Sequence, residues 1–323
     1  MRGRVPPTLK FVVRRLALGL VLALATSALI FFGSQLLSSN PARGIAGHDA
    51  SPATVQAIRK QLQLDKPVTT RYADWLSGAV TGDFGDSLIT HRPVSEVLAR
   101  PVTNTLVLAA FAMVVMVPLG LGLGIAAGIN PGSRLDSFVS SSTLAWVAMP
   151  EFVAAALLIL LFSTWTSVLP GVSLPPPGGT ALASPEILIL PALALIGGAL
   201  AWIVRFLRSS IVELMQSPFV EMARLNGVDE RRIVLRHVLP LALPAALQSI
   251  AAGAVGMIAS TIVVETIFSY PGIGQLLSHA VANRDLPIVQ AIALLATAAS
   301  LLAYLLADLM GVLLVPSLRT AAR

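Results

Sequence analysis

The sequence predicts an all-α integral membrane protein with about six transmembrane helices, an external cap region after the first helix and a charged cytoplasmic loop. Of the 323 residues, 55% are hydrophobic and only 12% are charged, whereas soluble domains carry about 25% charged residues. Charge-free runs cover approximately residues 16–42, 101–133, 187–204, 238–264 and 286–307, and a sixth run at 137–165 is interrupted only by Glu151. These lengths are close to or above the roughly 20 apolar residues that cross a bilayer.

The positions of Lys and Arg orient the predicted helices. With the N-terminus inside, most of the 22 basic residues fall in cytoplasmic segments, and nearly all the others fall in one long external loop. Long loops translocate largely regardless of their charge, so both termini are predicted to be cytoplasmic. This bias accounts for the net charge of +6 without a nucleic-acid partner.

The predicted organisation follows from these spans. Residues 1–40 form the cytoplasmic N-terminus and first helix, 41–100 the external region, 101–316 a core of five helices and 317–323 a cytoplasmic tail. The basic start also resembles a signal peptide, but its apolar run is longer than the usual 7–15 residues or so, which favours an uncleaved helix. Within the external region, SPATVQAIRKQLQL predicts a short helix that begins at Ser51 or Pro52.

The loop at 217–240 concentrates charge between two apolar runs, in the segment SPFVEMARLNGVDERRIVLRHVLP. Ser217 and Pro218 predict a helix start, and Gly227 predicts its end, because glycine adopts the left-handed conformation of a C-cap without strain. Asp229 predicts the cap of a second short helix that ends before Pro240. Neither helix is long enough to cross a bilayer.

Helical spacing gives the first of these helices an apolar face, shared by Phe219, Met222, Ala223 and Asn226. Two helices around a glycine turn are also typical of DNA-binding proteins, but membrane spans on both sides argue against DNA. The remaining interpretations are a connector that lies at the lipid headgroups and a docking element for a soluble partner.

The order of residues in this loop resembles the EAA loop of ABC importer permeases. Glu221, Ala223, Gly227, Leu239 and Pro240 stand at its spacing. Elsewhere the chain resembles the B-type subunit of the peptide, dipeptide and nickel branch, through LQLDKPVTTRYADWLSGAVTGDFGDSL and VVETIFSYPGIGQLLSHAVANRDLPIVQ. The matching positions of the external region are Leu64, Asp65, Pro67, Tyr72, Trp75, Gly82, Asp83, Gly85 and Ser87.

This resemblance implies a multi-pass permease of the bacterial inner (plasma) membrane that forms half of the translocation pathway of an ATP-driven peptide importer. The implied partners are a second homologous permease subunit, two ATP-binding subunits or domains and an extracytoplasmic substrate-binding protein. The residues expected to couple the chain to the ATPase are Glu221, Ala223, Arg224, Gly227, Arg231, Arg232, Leu239 and Pro240.

Other functions stay open at this point. The same architecture serves importers of nickel, glutathione or haem, and two other classes are an ion-coupled secondary transporter and an intramembrane enzyme. An enzyme is disfavoured because no Ser, His and acid arrangement is evident. The subunit is therefore expected to be non-catalytic.

No cofactor is expected in this chain. A phosphate-binding loop requires G-x-x-x-x-G-K-[ST], and none of the three lysines, Lys10, Lys60 and Lys66, lies in that context. ATP and magnesium are therefore expected on the partner ATPase. Cysteine is absent and the four histidines are scattered, so no metal site is expected.

The candidate residues of the translocation pathway are Pro150, Glu151 and Glu265. A carboxylate near mid-membrane costs about 2.5–3.5 kcal/mol on insertion scales and usually faces water or a partner. Glu151 therefore either lines the pathway or hydrogen-bonds backbone groups that Pro150 leaves free. Glu265 and Asp285 flank the last outer loop and are also expected as surface or hinge charges.

The predicted topology can be tested on the natural cysteine-free background. In intact cells, an impermeant thiol reagent should label Ser51→Cys, which lies in the external region, and should leave Ser217→Cys unlabelled until the membrane is permeabilised. Labelling of Ser217→Cys in intact cells would contradict the orientation.

Overall fold

A computed structural model describes residues 7–36, 51–61, 65–176 and 179–314 of the chain. Within these ranges the protein is all-α, as predicted, and an isolated bridge between Asp86 and Pro93 is the extent of β-pairing. The predicted tail at 317–323, the matched position Leu64 and residues 41–50 of the predicted external region lie outside them.

The α-helices of the described residues, numbered in chain order, have the following bounds: α1 Pro7–Leu36, α2 Pro52–Gln61, α3 Val68–Thr81, α4 Val94–Ile129, α5 Arg134–Ala148, α6 Glu151–Leu158, α7 Glu186–Met215, α8 Pro218–Leu225, α9 Glu230–Ile233, α10 Leu239–Ile267, α11 Ile273–Ala282 and α12 Leu286–Leu314. Two π-helical segments extend α6 and α9, at Ile159–Trp165 and Val234–Val238, and a 3₁₀ turn occupies Ala181–Ala183.

Five helical stretches of the described chain are long and apolar enough to cross a membrane: Val13–Gly33, Val94–Ile129, Glu186–Met215, Glu230–Ile267 and Leu286–Leu306. Together with the bent pair α5 and α6, this gives the predicted six. Span α4 begins at Val94 rather than 101 because Glu96 and Arg100 interrupt the apolar run without interrupting the helix. Pro191 and Pro244 lie inside α7 and α10, as expected for prolines in packed membrane helices.

The span predicted at 137–165 is bent. Helices α5 and α6 meet at 111° across Met149 and Pro150. Proline disfavours the helical conformation of the residue before it, and Met149 is extended, with φ −89° and ψ 124°. The bend makes Glu151 the first residue of a new helix.

The described residues fall into two compact units. The first comprises the described residues within 7–16, 106–176, 179–270 and 302–314. Its core surrounds α7, whose most apolar part is 67% buried. Residues Leu188, Ile203 and Leu207 of this helix are fully buried.

Small residues allow other helices to approach α7 closely. A β-carbon added at Gly120, Gly124 or Gly128 of α4 would come within 2.8–3.1 Å of Ile203, Leu207 or Ile211, respectively. Close approach of this kind is how membrane helices gain packing energy, because lipid offers no hydrophobic driving force between them.

The second unit comprises the described residues within 17–36, 51–61, 65–105 and 271–301. Phe31, Phe32, Tyr72 and Trp75 form an aromatic cluster with ring centroids 5.5–6.2 Å apart. The Tyr72 hydroxyl lies 2.8 Å from the Ser27 hydroxyl. Two positions that match the family pattern, Tyr72 and Trp75, thus join the external region to the first helix.

Asp285 corrects a prediction, because it is buried within the second unit rather than exposed as a surface charge. Its carboxylate accepts hydrogen bonds from the Ser87 hydroxyl, at 2.5 Å, and from the Leu88 backbone N–H, at 3.2 Å. Ser87 is another matched position, and its role here is to satisfy a buried charge.

Gly197 and Gly198 of α7 provide a matched pair for testing this packing. A β-carbon on Gly197 would lie 1.3 Å from the Trp146 indole nitrogen, whereas one on Gly198 would meet no atom within 4 Å. Gly197→Ala should lower stability by about 1–3 kcal/mol through overpacking, and Gly198→Ala should be neutral or slightly stabilising. Thermal unfolding of the detergent-solubilised protein checks both, and equal melting temperatures would contradict the account.

Candidate functional site

Residues 217–238, which we call the docking element, connect α7 to α10. Ser217 precedes Pro218 at the helix start as predicted, but its hydroxyl donates back to the Leu214 carbonyl instead of capping α8. Helix α8 then runs for eight residues and ends at Asn226 and Gly227. Helix α8 is too short to span a membrane, whereas the second half of the element continues into the candidate span Glu230–Ile267.

Helix α8 presents two apolar faces. Val220 is fully buried, and with the partly buried Ala223 it packs into a cluster that includes Ile233 and Val238. Phe219, Met222 and Leu225 form an exposed strip, 41%, 58% and 77% accessible, respectively. The prediction that Ala223 shares one apolar face with Phe219 and Met222 is therefore wrong, because Ala223 packs against the buried cluster of its own chain.

The turn after α8 depends on Gly227. Its φ of +72° is strained for residues that carry a β-carbon. The Gly227 N–H donates to the Arg224 carbonyl at 2.9 Å and the Val228 N–H to the Ala223 carbonyl at 3.1 Å. These bonds satisfy carbonyls at the helix end, so the predicted glycine turn is confirmed.

The charges of the docking element are exposed. The Arg224 guanidinium donates to the Glu230 carboxylate across the turn, and this hydrogen bond raises the pKa of Arg224 above its usual value. Glu221, Arg231 and Arg232 present their charges to the surface. The element thus combines an exposed apolar strip with charges of both signs.

The prediction that the second short helix ends before Pro240 is wrong. The Asp229 carboxylate accepts from the Arg231 N–H at 3.1 Å, as expected for a cap, but the chain continues through the π-helical segment into α10. Pro240 lies at the second residue of α10, directly after this π-helical segment. Leu239 is partly buried against the cluster below α8.

An ion pair with a buried carboxylate lies near the C-terminal end of α7, just before the docking element. Arg208 donates to both carboxylate oxygens of Asp136, whose side chain is only 4% accessible. The same carboxylate accepts from the Gly132 N–H at 2.8 Å and the Ser140 hydroxyl at 3.2 Å. A two-pronged, fully hydrogen-bonded arginine pair is geometrically specific, so the turn before α5 and helix α7 are held together.

A groove of about 380 Å³ lies along α7 and α10, with Glu151 at its edge. We call it the acidic groove. The Ser260 hydroxyl donates to the Glu151 carboxylate, which remains exposed. The other lining residues are Leu195, Gly198, Ala199, Trp202, Phe206, Ser249, Ala252, Gly253, Gly256 and Met257.

Of the sequence-predicted pathway residues, the structure brings Glu151 to the groove and leaves Glu265 away from it. Glu265 is fully buried near the end of α10, so the expectation of a surface charge there is wrong. Its backbone carbonyl accepts from the Tyr270 N–H at 2.8 Å, which fixes the turn that leaves α10. Pro150 acts through the backbone, because it starts the helix that carries Glu151.

Sequence reasoning missed Trp202, Phe206, Ser249 and Ser260 as groove residues. Trp202 and Phe206 stand four positions apart on a charge-poor helix, and small residues recur along α10, at Ser249, Gly253, Gly256 and Ser260. That recurrence signals a narrow helix face, but only the packing shows which face stays open. Among the described residues, His, Asp and Glu nowhere gather in threes as a metal site would require.

Comparisons with known proteins give a consistent result. The family described as "Binding-protein-dependent transport system inner membrane component" matches residues 120–320, and its N-terminal counterpart, "Binding-prot-dependent transport system membrane comp, N-term", matches residues 8–109. The glutathione transport system permease protein of Escherichia coli (strain K12) is 33% identical over 96% of this chain and 99% of its own length. A putative peptide transport system permease protein of Brucella abortus (strain 2308) is 33% identical over 86% and 89%.

Proposed function

The chain belongs to the inner membrane components of binding-protein-dependent transport systems, and we propose that it is the permease subunit of an ATP-driven importer of peptides. The family consists of non-catalytic, multi-pass membrane components of ABC importers. The proposal adds the substrate class, the residues that contact the substrate and the residues that contact the ATPase.

The observation that carries the peptide assignment is the acidic groove. Its carboxylate, Glu151, is exposed beside the Ser260 hydroxyl, while the rest of its lining is small, apolar or aromatic. A peptide offers a cationic amino terminus for the carboxylate and a chain of amides and side chains for the rest. The name of the Brucella relative points to the same class.

Glutathione is the second candidate, because a relative matched over nearly the whole chain is named for it. Glutathione carries two carboxylates and one ammonium group. The residues lining the groove include Glu151 and no Lys or Arg, a charge arrangement that favours neutral and cationic peptides over an anionic one.

We assign the docking element to the ATPase. The exposed strip of Phe219, Met222 and Leu225 offers a soluble partner an apolar contact surface. The exposed charges of Glu221, Arg231 and Arg232 can orient that partner by pairing with opposite charges on it. With the docking element inside and the external region outside, the chain forms half of the pathway beside a second permease subunit. The external region is assigned to the substrate-binding protein.

Coupling should fail when the docking element is altered. Gly227→Val forces a β-branched residue to a φ of +72°, and Glu221→Arg reverses an exposed charge, so both should lower substrate uptake per ATP hydrolysed by about tenfold or more. The measurement is uptake and ATP hydrolysis by the complete importer in proteoliposomes.

Gly132→Val is the control for backbone strain, because Gly132 has a similar φ of +78° at the turn before α5 and lies outside the docking element. Since the Gly132 N–H donates to the Asp136 carboxylate, both rates are normalised to the amount of assembled importer. Gly132→Val should retain the wild-type ratio of uptake to hydrolysis. Wild-type ratios in Gly227→Val and Glu221→Arg, at normal assembly, would refute the docking role, and uptake that needs no ATPase would indicate a secondary transporter.

Glu151→Gln tests the peptide assignment, because it keeps the size and hydrogen bonding of the side chain and removes its charge. Loss of one charge contact with the substrate should reduce uptake of a cationic peptide by about three- to tenfold more than uptake of its neutral counterpart. Initial uptake rates by proteoliposomes, normalised to the amount of assembled importer, provide the measurement.

Glu186→Gln is the control for this change, since Glu186 is an exposed carboxylate at the start of α7, outside the groove. It should leave the preference between cationic and neutral peptides unchanged. An unchanged preference in Glu151→Gln as well would assign Glu151 a structural role.

A further inference from the structure

We propose that the acidic groove contacts an oligopeptide at two separated points, its amino terminus at Glu151 and an apolar, preferably aromatic, side chain at Trp202 and Phe206. The inference rests on the proposed function and adds the length and composition of the favoured substrate. It follows from the axial register of α7 and α10, the exposure of the Trp202 and Phe206 rings and the open groove surface between the two contact points.

The contact between Gly253 and Ala199 fixes the register of α10 against α7. A β-carbon on Gly253 would lie 2.8 Å from the Ala199 β-carbon, so these positions share a level. Because α7 and α10 are consecutive spans, they run in opposite directions. Ser260 is seven residues beyond Gly253 on α10, and Trp202 is three residues beyond Ala199 on α7, in the opposite axial direction. These offsets add to an axial separation of about 15 Å between Ser260 and Trp202, at the rise per residue of an α-helix.

Phe206 lies one turn beyond Trp202, at about 21 Å from the level of Ser260 by the same rise per residue. An extended chain covers at most about 3.3–3.6 Å per residue. A peptide bound by its amino terminus at Glu151 thus reaches the aromatic pair with its fourth to sixth residue, or thereabouts. A dipeptide or tripeptide reaches at most about 7 or 11 Å and contacts only one point.

Trp202 and Phe206 form a preformed apolar surface at one end of the groove. Their rings stack with centroids 5.8 Å apart and an interplanar angle of 26°, and they are 47% and 50% accessible. The Arg205 guanidinium lies 5.8 Å from the Trp202 ring centroid, which restrains the indole through a cation–π contact. A restrained ring loses little entropy when a ligand side chain stacks on it.

Between the two contact points, the groove surface leaves space for the backbone of a bound peptide. Gly198 of α7 and Gly256 of α10 line the groove, and a β-carbon on either would meet no atom within 4 Å. Open space above glycine lets an extended peptide lie close to the helices. The groove thus joins an anionic end to an aromatic end by an unobstructed strip.

The test compares three pentapeptides, Ala-Ala-Ala-Ala-Phe, Phe-Ala-Ala-Ala-Ala and penta-alanine, in proteoliposomes that contain the complete importer and a single preparation of its binding protein. Comparing each variant with wild type cancels the preference of the binding protein. In wild type, phenylalanine at position five should raise uptake relative to penta-alanine. Trp202→Ala should lower this advantage by about two- to tenfold, as expected for loss of an aromatic pair.

Three further variants make the result specific. Phe206→Ala should act in the same direction, Trp202→Phe should retain most of the advantage, and Trp165→Ala should behave as wild type because that exposed tryptophan lies outside the groove. The advantage of phenylalanine at position one should not depend on Trp202. Acetylation of the pentapeptide amino terminus should lower uptake by wild type more than by Glu151→Gln.

Several outcomes would overturn the inference. An unchanged advantage in Trp202→Ala would show that Trp202 does not contact the side chain at position five. An equal loss for all three peptides would assign Trp202 to assembly of the importer instead. Import of dipeptides with the same dependence on both Glu151 and Trp202 would refute the two-point separation. If wild type imports no peptide of any length, the proposed function itself fails, whereas efficient peptide import without a Trp202 effect rejects only this inference.

Discussion

The architecture of the first unit depends on how closely other helices can approach α7. On one side α4 contributes glycines at 120, 124 and 128, on another α10 contributes Gly253 opposite Ala199, and at Gly197 the Trp146 indole occupies the space of a missing side chain. In lipid, such surface complementarity replaces the hydrophobic effect as the source of helix association. The arrangement of the groove and of the docking element follows from this central helix.

Two proposed functions share α7. Its middle carries Trp202 and Phe206, and its C-terminal end leads directly into the docking element. Arg208 lies between these regions and is held by Asp136. The proline inside α7, Pro191, lies before both regions, so no proline, one of the usual causes of a sharp helix kink, separates them. The structure therefore offers a short mechanical connection between the partner surface and the substrate surface.

Much of this organisation could be predicted from the sequence, because a bilayer imposes strong rules on composition. The helix count, the glycine turn at 227 and the choice of Glu151 as a candidate residue follow from apolar run length, backbone sterics and the cost of a charge in lipid. The proposed coupling residues, such as Glu221, came from the family resemblance.

What could not be predicted depends on packing. A helix was expected to end before Pro240, but the chain is helical on both sides of this residue. Glu265 and Asp285 look like surface charges in the sequence and are buried in the fold. Trp202 and Phe206 read as ordinary apolar residues, because no local pattern separates a groove-lining aromatic residue from one that faces lipid.

The bend at Met149 and Pro150 has a consequence for the evolution of this chain. The break makes Glu151 the first residue of α6, so the positive end of a helix dipole lies beside its carboxylate and offsets part of the cost of a charge in the membrane. In an unbroken helix the same carboxylate would lie beside satisfied amides and lose that compensation. The favourable position of Glu151 thus depends on Pro150. Replacement of Pro150 by a helix-forming residue would remove the helix start beside the carboxylate. Homologues that keep the acid should therefore keep the break.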